Sequence, residues 1–324
     1  MENMTLTFVN VGYGEAILAE CPDDRLPGGR FTMLIDGGSA EAGEYAGSQT
    51  GRIPAADYLR RRNIRALNLL VSTHIHEDHV CGLLDAVSVA PPAEMWQALP
   101  ENLWREMRHI DPAVAEDPSM DKFLRSLNDY QALCRTLDGQ GCAIRCISAG
   151  AETDLCMGLT ARVLGPDTAH IDDLADRIRQ LYQAPDLATQ KRLITATDSC
   201  MNNYSVILLL NYRGTRVLLP GDTNCVGYAG LERELRADLF KLGHHGQKDS
   251  VTPELLEFIS PRHAVCCASS DRRYNSAHPA PLGLLRTHGV HCWFSDCPEG
   301  EAVPPHSELT FTIGPDGAVE GVYR

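Results

Sequence analysis

The stretch Thr73-His74-Ile75-His76-Glu77-Asp78-His79 follows a short apolar run, residues 67–71, that reads as a buried strand. Its ligand-type side chains are His74, His76, Asp78 and His79. Imidazole and carboxylate at this density suit transition-metal coordination better than packing. In a loop after a strand, alternate side chains can turn toward one point, so His74 and His76 can share one cation. Asp78 and His79 then face a neighbouring position and can hold a second. On a helix, residues i and i+2 point apart, so a loop is expected here. Glu77 is expected to face away or to support the ligands.

Two later segments supply what this loop lacks. Leu218-Leu219-Pro220-Gly221-Asp222-Thr223 ends a strand in a glycine turn that carries a carboxylate, and Lys241-Leu242-Gly243-His244-His245-Gly246 does the same with imidazole. All three segments occupy equivalent strand ends. The two oxygens of Asp222 can bridge a pair of cations.

Composition narrows the field. A chain of 324 residues, 44% hydrophobic, can bury a substantial core. The net charge of −14 argues against broad binding of nucleic-acid duplexes, whose backbone an acidic surface repels. The 12 cysteines are scattered with no CxxC pair, which fits buried thiols in a reducing cytoplasm. The first residues lack a charged, apolar leader, and no run of about 18 apolar residues suggests a membrane span. A cytoplasmic location is expected.

Strands are expected at residues 5–11, 16–20, 31–35, 67–71, 143–147, 160–164, 204–210, 216–219, 239–242, 264–268, 292–294, 309–313 and 318–322. Helices are expected at residues 53–62, 231–237, 253–259 and 281–288, a helix start at 80–87, and a helical or flexible excursion at 172–182. Residues 90–140 break the rhythm and read as two or three helices inserted beside the main fold, as a lid or an oligomer contact. Trp96 and Trp104 in that segment could stack on a base, or pack in the core. The pattern gives two β-rich halves with helices outside, a sandwich of two sheets within one domain spanning 1–324.

Thr73-His74-x-His76-x-Asp78-His79 and Gly221-Asp222 resemble the signature motifs of the metallo-β-lactamase superfamily. The closer resemblance is to the branch containing the hydrolase-like domain of the ComEC DNA-uptake proteins. It rests on residues 8–15, Asp36-Gly37-Gly38, the strand from Asn202 to Leu208, Lys241 to Gly246, and, loosely, residues 274–279. This resemblance covers about 5–90 and 140–322 and implies an α+β fold, a four-layer αββα sandwich; it does not account for 90–140, which the sequence pattern gives as a helical insertion. It also implies two divalent metals, zinc first, with Mn²⁺ or Mg²⁺ as alternatives. His74 and His76 would hold one; Asp78, His79 and His245 would hold the other; Asp222 would bridge. Either of the adjacent His244 and His245 could be the ligand; His245 is favoured, with His244 contacting the substrate oxyanion. Asp78, Asp222, His244 and His278 are the expected catalytic side chains, with Lys248 a further candidate. The chain departs from the wider pattern in lacking a ligand histidine between residues 80 and 221, where only His109 and His170 occur, and in carrying Asn10 and Glu15 where the branch has aspartates.

The implied reaction is metal-dependent hydrolysis of a small or short phosphodiester, by a phosphodiesterase or nuclease. Lactone, thioester or β-lactam hydrolysis is the enzymatic alternative, since the fold does not choose the bond. A non-catalytic metal-binding module in a multi-component protein system is the other. A homodimer is compatible with the insert. No GxSxG turn surrounds Ser205 or Ser250, and Gly12-x-Gly14 is too short for a phosphate cradle.

Overall fold

The computed structural model describes residues 3–100 and 102–324. Residues 1–2, read above for a leader, and residue 101 of the 90–140 segment lie outside the described residues. Strands β1 (Met4–Val9), β2 (Ile17–Pro22), β3 (Arg30–Ile35), β4 (Leu67–Val71), β5 (Pro92–Gln97) and β6 (Ala143–Cys146) build the first sheet. Strands β7 (Glu152–Cys156), β8 (Leu159–Gly165), β9 (Ile207–Tyr212), β10 (Thr215–Leu219), β11 (Leu239–Lys241), β12 (His263–Cys266) and β13 (His291–Phe294) build the second. β14 (Glu308–Ile313) and β15 (Val319–Tyr323) return to the first sheet beside β1, giving the orders β15-β14-β1-β2-β3-β4-β5-β6 and β13-β12-β11-β10-β9-β8-β7.

Most of these strands are apolar on both faces because both faces are covered. The period of two still sorts them. Met4, Leu6 and Phe8 of β1, Leu208 and Leu210 of β9, and Val217 and Leu219 of β10 meet between the sheets. Ile207, Leu209 and Leu218 turn the other way, toward an outer helical layer. On the first sheet, Leu18 and Leu34 likewise face the opposite helical layer.

The helices are α1 (Ala42–Tyr45), α2 (Ala55–Arg61), α3 (Glu77–Val80), α4 (Leu83–Val89), α5 (Pro118–Gly139), α6 (Thr168–Tyr182), α7 (Leu187–Asp198), α8 (Pro253–Ile259) and α9 (Pro279–Thr287). α2, α4, α5, α6 and α7 pack together over the first sheet, while α8 and α9 cover the second. The architecture is the expected α+β αββα sandwich with α5 as its helical insert. Among the described residues, no helix is long and apolar enough to cross a membrane.

α5 starts where Asp117 caps it, accepting from Met120 N at 2.9 Å, with Pro118 at the first helical position. It buries Met120, Phe123, Leu124, Leu127, Tyr130 and Leu137 at three- and four-residue spacing. The Tyr130 hydroxyl donates to Gln97 Oε1 at 2.7 Å, tying the helix to the end of β5.

Several elements differ from the sequence expectation. Residues 92–97 form β5, paired parallel with β4 and β6, so the 90–140 segment opens with a sheet strand rather than a helix. Pro92, which has no N–H, stands at its first residue, where proline is tolerated. Residues 231–237 are turns rather than helix. β7 and α7 were not read from the sequence. The segment 73–79 is not all loop, since α3 begins at Glu77.

β3 and β4 run parallel, as do β10, β11 and β12. The carboxyl ends of the strands therefore carry the Asp36, 73–79, Asp222 and 244–245 segments, the usual place for a site in a parallel sheet. The glycine turn after β3 packs backbone to backbone on the turn after α3. Gly37 N donates to His79 O at 2.8 Å and Gly82 N to Gly38 O at 2.9 Å. A Cβ on Gly82 would lie 2.1 Å from Gly37 O. Gly82→Ala is accordingly expected to cost about 1–3 kcal/mol of stability through overpacking. Urea denaturation measures this, and an unchanged midpoint would mean that the two backbones part freely.

Candidate metal centre

Asp78, His79, Asp222 and His245 each offer a ligand atom, and these atoms all lie within 4.8 Å of one another. His245 Nε2 is 2.9 Å from Asp78 Oδ2, 2.8 Å from Asp222 Oδ2 and 3.3 Å from His79 Nε2. His79 Nε2 is 3.4 Å from Asp222 Oδ2. Three segments distant in sequence thus meet in one buried volume, and this His/Asp cluster can coordinate a metal ion.

The adjacent histidines diverge because the backbone turns left-handed there. His244, His245 and Gly246 have φ of 46°, 50° and 68°. Two successive non-glycine residues in that region are strained, a cost usually met at functional sites. The turn sends His245 inward and fully buries it, while His244 lines an adjoining cleft of about 360 Å³. His244 Nδ1 is 3.1 Å from Asp249 Oδ1.

Each inward imidazole has one nitrogen occupied by an outer partner, which aims the other. His79 Nδ1 donates to Asp36 Oδ2 at 2.7 Å, and His245 Nδ1 to the Cys267 carbonyl at 2.7 Å. His74 Nδ1 donates to Thr73 Oγ1 at 3.0 Å, whose own proton goes to Asp36 Oδ2 at 2.5 Å. His76 Nε2 lies 3.2 Å from Asp198 Oδ1. Beyond these outer partners, His74 Nε2 and His76 Nδ1 hydrogen-bond each other at 3.0 Å. These two stand beside the four-residue cluster, with the His74 and His79 ring centroids 4.2 Å apart.

The charges of the cluster lock together. Burial opposes charge on Asp222, but His245, Lys241 and His79 outweigh it and hold the carboxyl well below its usual range. Burial likewise works against Asp78, and His79 and His245 win. Burial also opposes protonation of His245, yet Asp222 and Asp78 push it up to about 9. His79 rises for the same reason, against its own burial, through Asp222, Asp78 and Asp36. His74 moves the other way: burial, then His79 and His76, hold it neutral. A donor set of two imidazoles and two carboxylates converging in one volume fits a divalent metal. The Asn202 amide oxygen, buried at the cleft wall, has no hydrogen-bond partner among the described residues.

Lys241, fully buried, donates to Gly221 O at 2.7 Å and Asp222 Oδ1 at 3.1 Å, and pairs with Glu15. Glu15 thus serves the second rank, behind Asp222. Asn10 is no site residue. Its amide donates to Asp296 Oδ1 at 3.2 Å and His306 O at 2.9 Å, so an aspartate here would face another carboxylate. His278 caps α9, accepting from Ala280 N at 3.1 Å, and does not line the cleft. Lys248 is exposed and outside the cleft. His170 pairs with Asp167 on the exposed first turn of α6. Trp96 and Trp104 are both 5% exposed and belong to the core. Sequence reasoning missed the supporting roles of Asp36, Thr73, Cys267 and Asp198. Only Asp36 left a signal, in its DGG turn.

The fold is that of the metallo-β-lactamase superfamily, whose family model matches residues 25–119. ComE operon protein 3 of Bacillus subtilis (strain 168) is 23% identical over 298 residues, covering 89% of this chain and 31% of that protein. The chain therefore spans under a third of the length of the curated relative it matches. Among solved structures, CmlA, a diiron β-hydroxylase from Streptomyces venezuelae, aligns at a TM-score of 0.47 and 14% identity, over 96% of this chain and 54% of that one. Zn²⁺-bound PqqB from Methylobacterium extorquens aligns at a TM-score of 0.45 and 10% identity, over 89% and 97%.

Removing Lys241 leaves the buried Glu15 and Asp222 carboxylates without their cation. Lys241→Met is expected to lower the stability of the metal-free chain by about 3–5 kcal/mol. Urea denaturation in chelator checks it, and a loss below about 1 kcal/mol would mean that water already reaches both carboxylates.

Proposed function

We propose that this chain is a metal-dependent hydrolase of a small phosphodiester or a short nucleic-acid end, working with two divalent cations, zinc first among them. The observation that carries the reading is the convergence of His79, His245, Asp78 and Asp222, each imidazole aimed by an outer partner. These four would hold one cation. His74 and His76 would hold the second, with Asp222 bridging and the Asn202 oxygen standing in for the absent histidine. When bound, the cations supply Lewis acidity to a phosphoryl oxygen and to a water molecule.

The chain's own residues do the rest. The cleft beside the centre is lined by the carboxylates of Glu77, Asp78, Asp198 and Asp222, with Lys122 the only Lys or Arg among the described lining residues. An anion therefore enters well only after cations offset those carboxylates, and Lys122 then draws it to the α5 side. His244, steadied by Asp249, is the imidazole available to charge developing on a phosphoryl oxygen. Tyr274 is 54% exposed and sits 5.1 Å from Tyr13, ring to ring, at the cleft mouth. Together with Phe123 it offers an aromatic surface to a base or aromatic leaving group. A tetrahedral anion with a planar body suits these walls better than a neutral lactam. The motif resemblance to the ComEC-type branch supports the same choice. Through Ser119, Lys122 and Phe123, the first turns of α5 would act as the fixed part of a lid.

Elemental analysis of metal-replete protein should give between one and two equivalents, and chelation should abolish turnover of bis-p-nitrophenyl phosphate until metal is returned. Asp222→Ala is expected to remove that activity; turnover that survives it would falsify this reading. Asp198 binds His76 on one oxygen and accepts from Ser119 at 3.0 Å on the other. Asp198→Ala should weaken metal binding or turnover about 10–100-fold, measured by competition with a chromogenic chelator. Lys122→Gln should raise KM for the diester and spare kcat; an unchanged KM would remove Lys122 from substrate binding.

A further inference from the structure

A second concave site lies away from the metal centre and shares no lining residue with its cleft. It is a pocket of about 370 Å³ between residues 103–108, the second half of α5 and the end of α6. Arg105, Arg108, Arg135 and Arg179 line it, against one lining carboxylate, Glu106. The net charge of the chain is −14, so four guanidinium groups around one hollow run against the general surface.

The four are not equivalent. Arg105 pairs with Asp138 at 3.0 Å and stacks over Trp104, with its guanidinium carbon 5.0 Å from the ring centroid. Arg179 pairs with Asp176 at 3.2 Å and Glu106 at 3.6 Å. The side chains of Arg108 and Arg135 have no ion-pair or hydrogen-bond partner among the described residues. Two more donors around the pocket are unsatisfied among the described residues: the buried Tyr182 hydroxyl, on a lining residue, and the buried Trp104 indole N–H beneath Arg105. The local shortage is therefore of acceptors and of negative charge. Guanidinium forks meet a tetrahedral oxyanion in two-pronged fashion, which ammonium groups do not.

We propose that this pocket binds a phosphoryl anion, held chiefly by Arg108 and Arg135, either free or as the terminal group of a small organic phosphate. The volume falls in the range of small-ligand sites. A long polyanion is disfavoured by the net charge of −14 on the chain. Arg135 lies thirteen residues along α5 from Lys122, about 20 Å at 1.5 Å per residue, so the two sites stand at opposite ends of one helix.

Isothermal titration calorimetry of the full chain with inorganic diphosphate tests the site. The pair R108Q/R135Q should weaken diphosphate binding about ten-fold or more. Arg125→Gln, on the same helix but paired with Asp121 at 2.7 Å, should leave binding unchanged. Raising the salt concentration should reduce the difference between parent and R108Q/R135Q. An ADP arm separates the sources. Equal binding of ADP and diphosphate supports the terminal group of an organic phosphate as the ligand, and binding of diphosphate alone supports the free anion. Absence of diphosphate binding to the parent chain, or equal binding by parent and R108Q/R135Q, overturns the proposal.

Discussion

Asp36 is the residue on which the arrangement of the centre turns. Its carboxylate is fully buried and accepts from Thr73 N at 2.8 Å, from Thr73 Oγ1 at 2.5 Å and from His79 Nδ1 at 2.7 Å. One side chain at the end of β3 thereby fixes the first residue of the 73–79 segment and the last. Through Thr73 it also orients His74. Three donors satisfy this buried carboxylate, and each donor is in turn held in a single direction. The close contact of the Gly37 and Gly82 backbones keeps the same two segments from separating. The directions of the clustered imidazoles are set by the residues behind them.

That division explains what could be read from the sequence alone. His74, His76, His79 and Asp222 stand out because imidazole and carboxylate gather at strand ends in the sequence, whereas the adjacent His244 and His245 leave open which one turns inward. The strands of the inner layers announce themselves because they are apolar on both faces. Supporting residues carry no such mark: Asp198, at the end of α7, looks like any surface carboxylate until the helix brings it to His76. The Cys267 carbonyl has no side-chain signature at all. β5 is masked in the sequence because Trp96, Leu99 and Leu103 fall at helical spacing only by crossing from a strand into the following turn. β7 is an exposed edge strand with little apolar alternation to detect. α7 buries only Ile194 and Thr197, so its amphipathic signal is weak, although Asp186 caps it in the ordinary way.

The His244-His245 pair shows how backbone conformation settles a question that residue identity leaves open. Two adjacent imidazoles in an extended or helical segment point to different places for different reasons, and either could have been the inward one. The run of positive φ through residues 244–246 rotates the chain so that one ring is buried against two carboxylates and its neighbour opens on the cleft. Only glycine adopts such angles freely, and only the last of the three is glycine. A Cβ on Gly246 would lie 2.5 Å from Cys266 Sγ, so β12 also presses on this turn from behind. Packing against β12 and the Nδ1 bond to Cys267 hold the strained pair in place.

The acidity of the chain and the buried cation Lys241 belong to the same account. Glu15, Asp78 and Asp222 are concentrated in a small volume, and burial opposes charge on each of them. Lys241 answers Glu15 and one oxygen of Asp222, leaving the other oxygen of Asp222 directed at His79 and His245. Had Lys241 been a neutral residue, Asp222 would have no fixed partner on its outer oxygen and would be free to turn away from the imidazoles. A single ammonium group behind the centre therefore sets which oxygen of Asp222 faces forward. It does so from a strand, β11, whose next turn delivers His245, so one short run of backbone supplies both the inward imidazole and the charge that aims its neighbour.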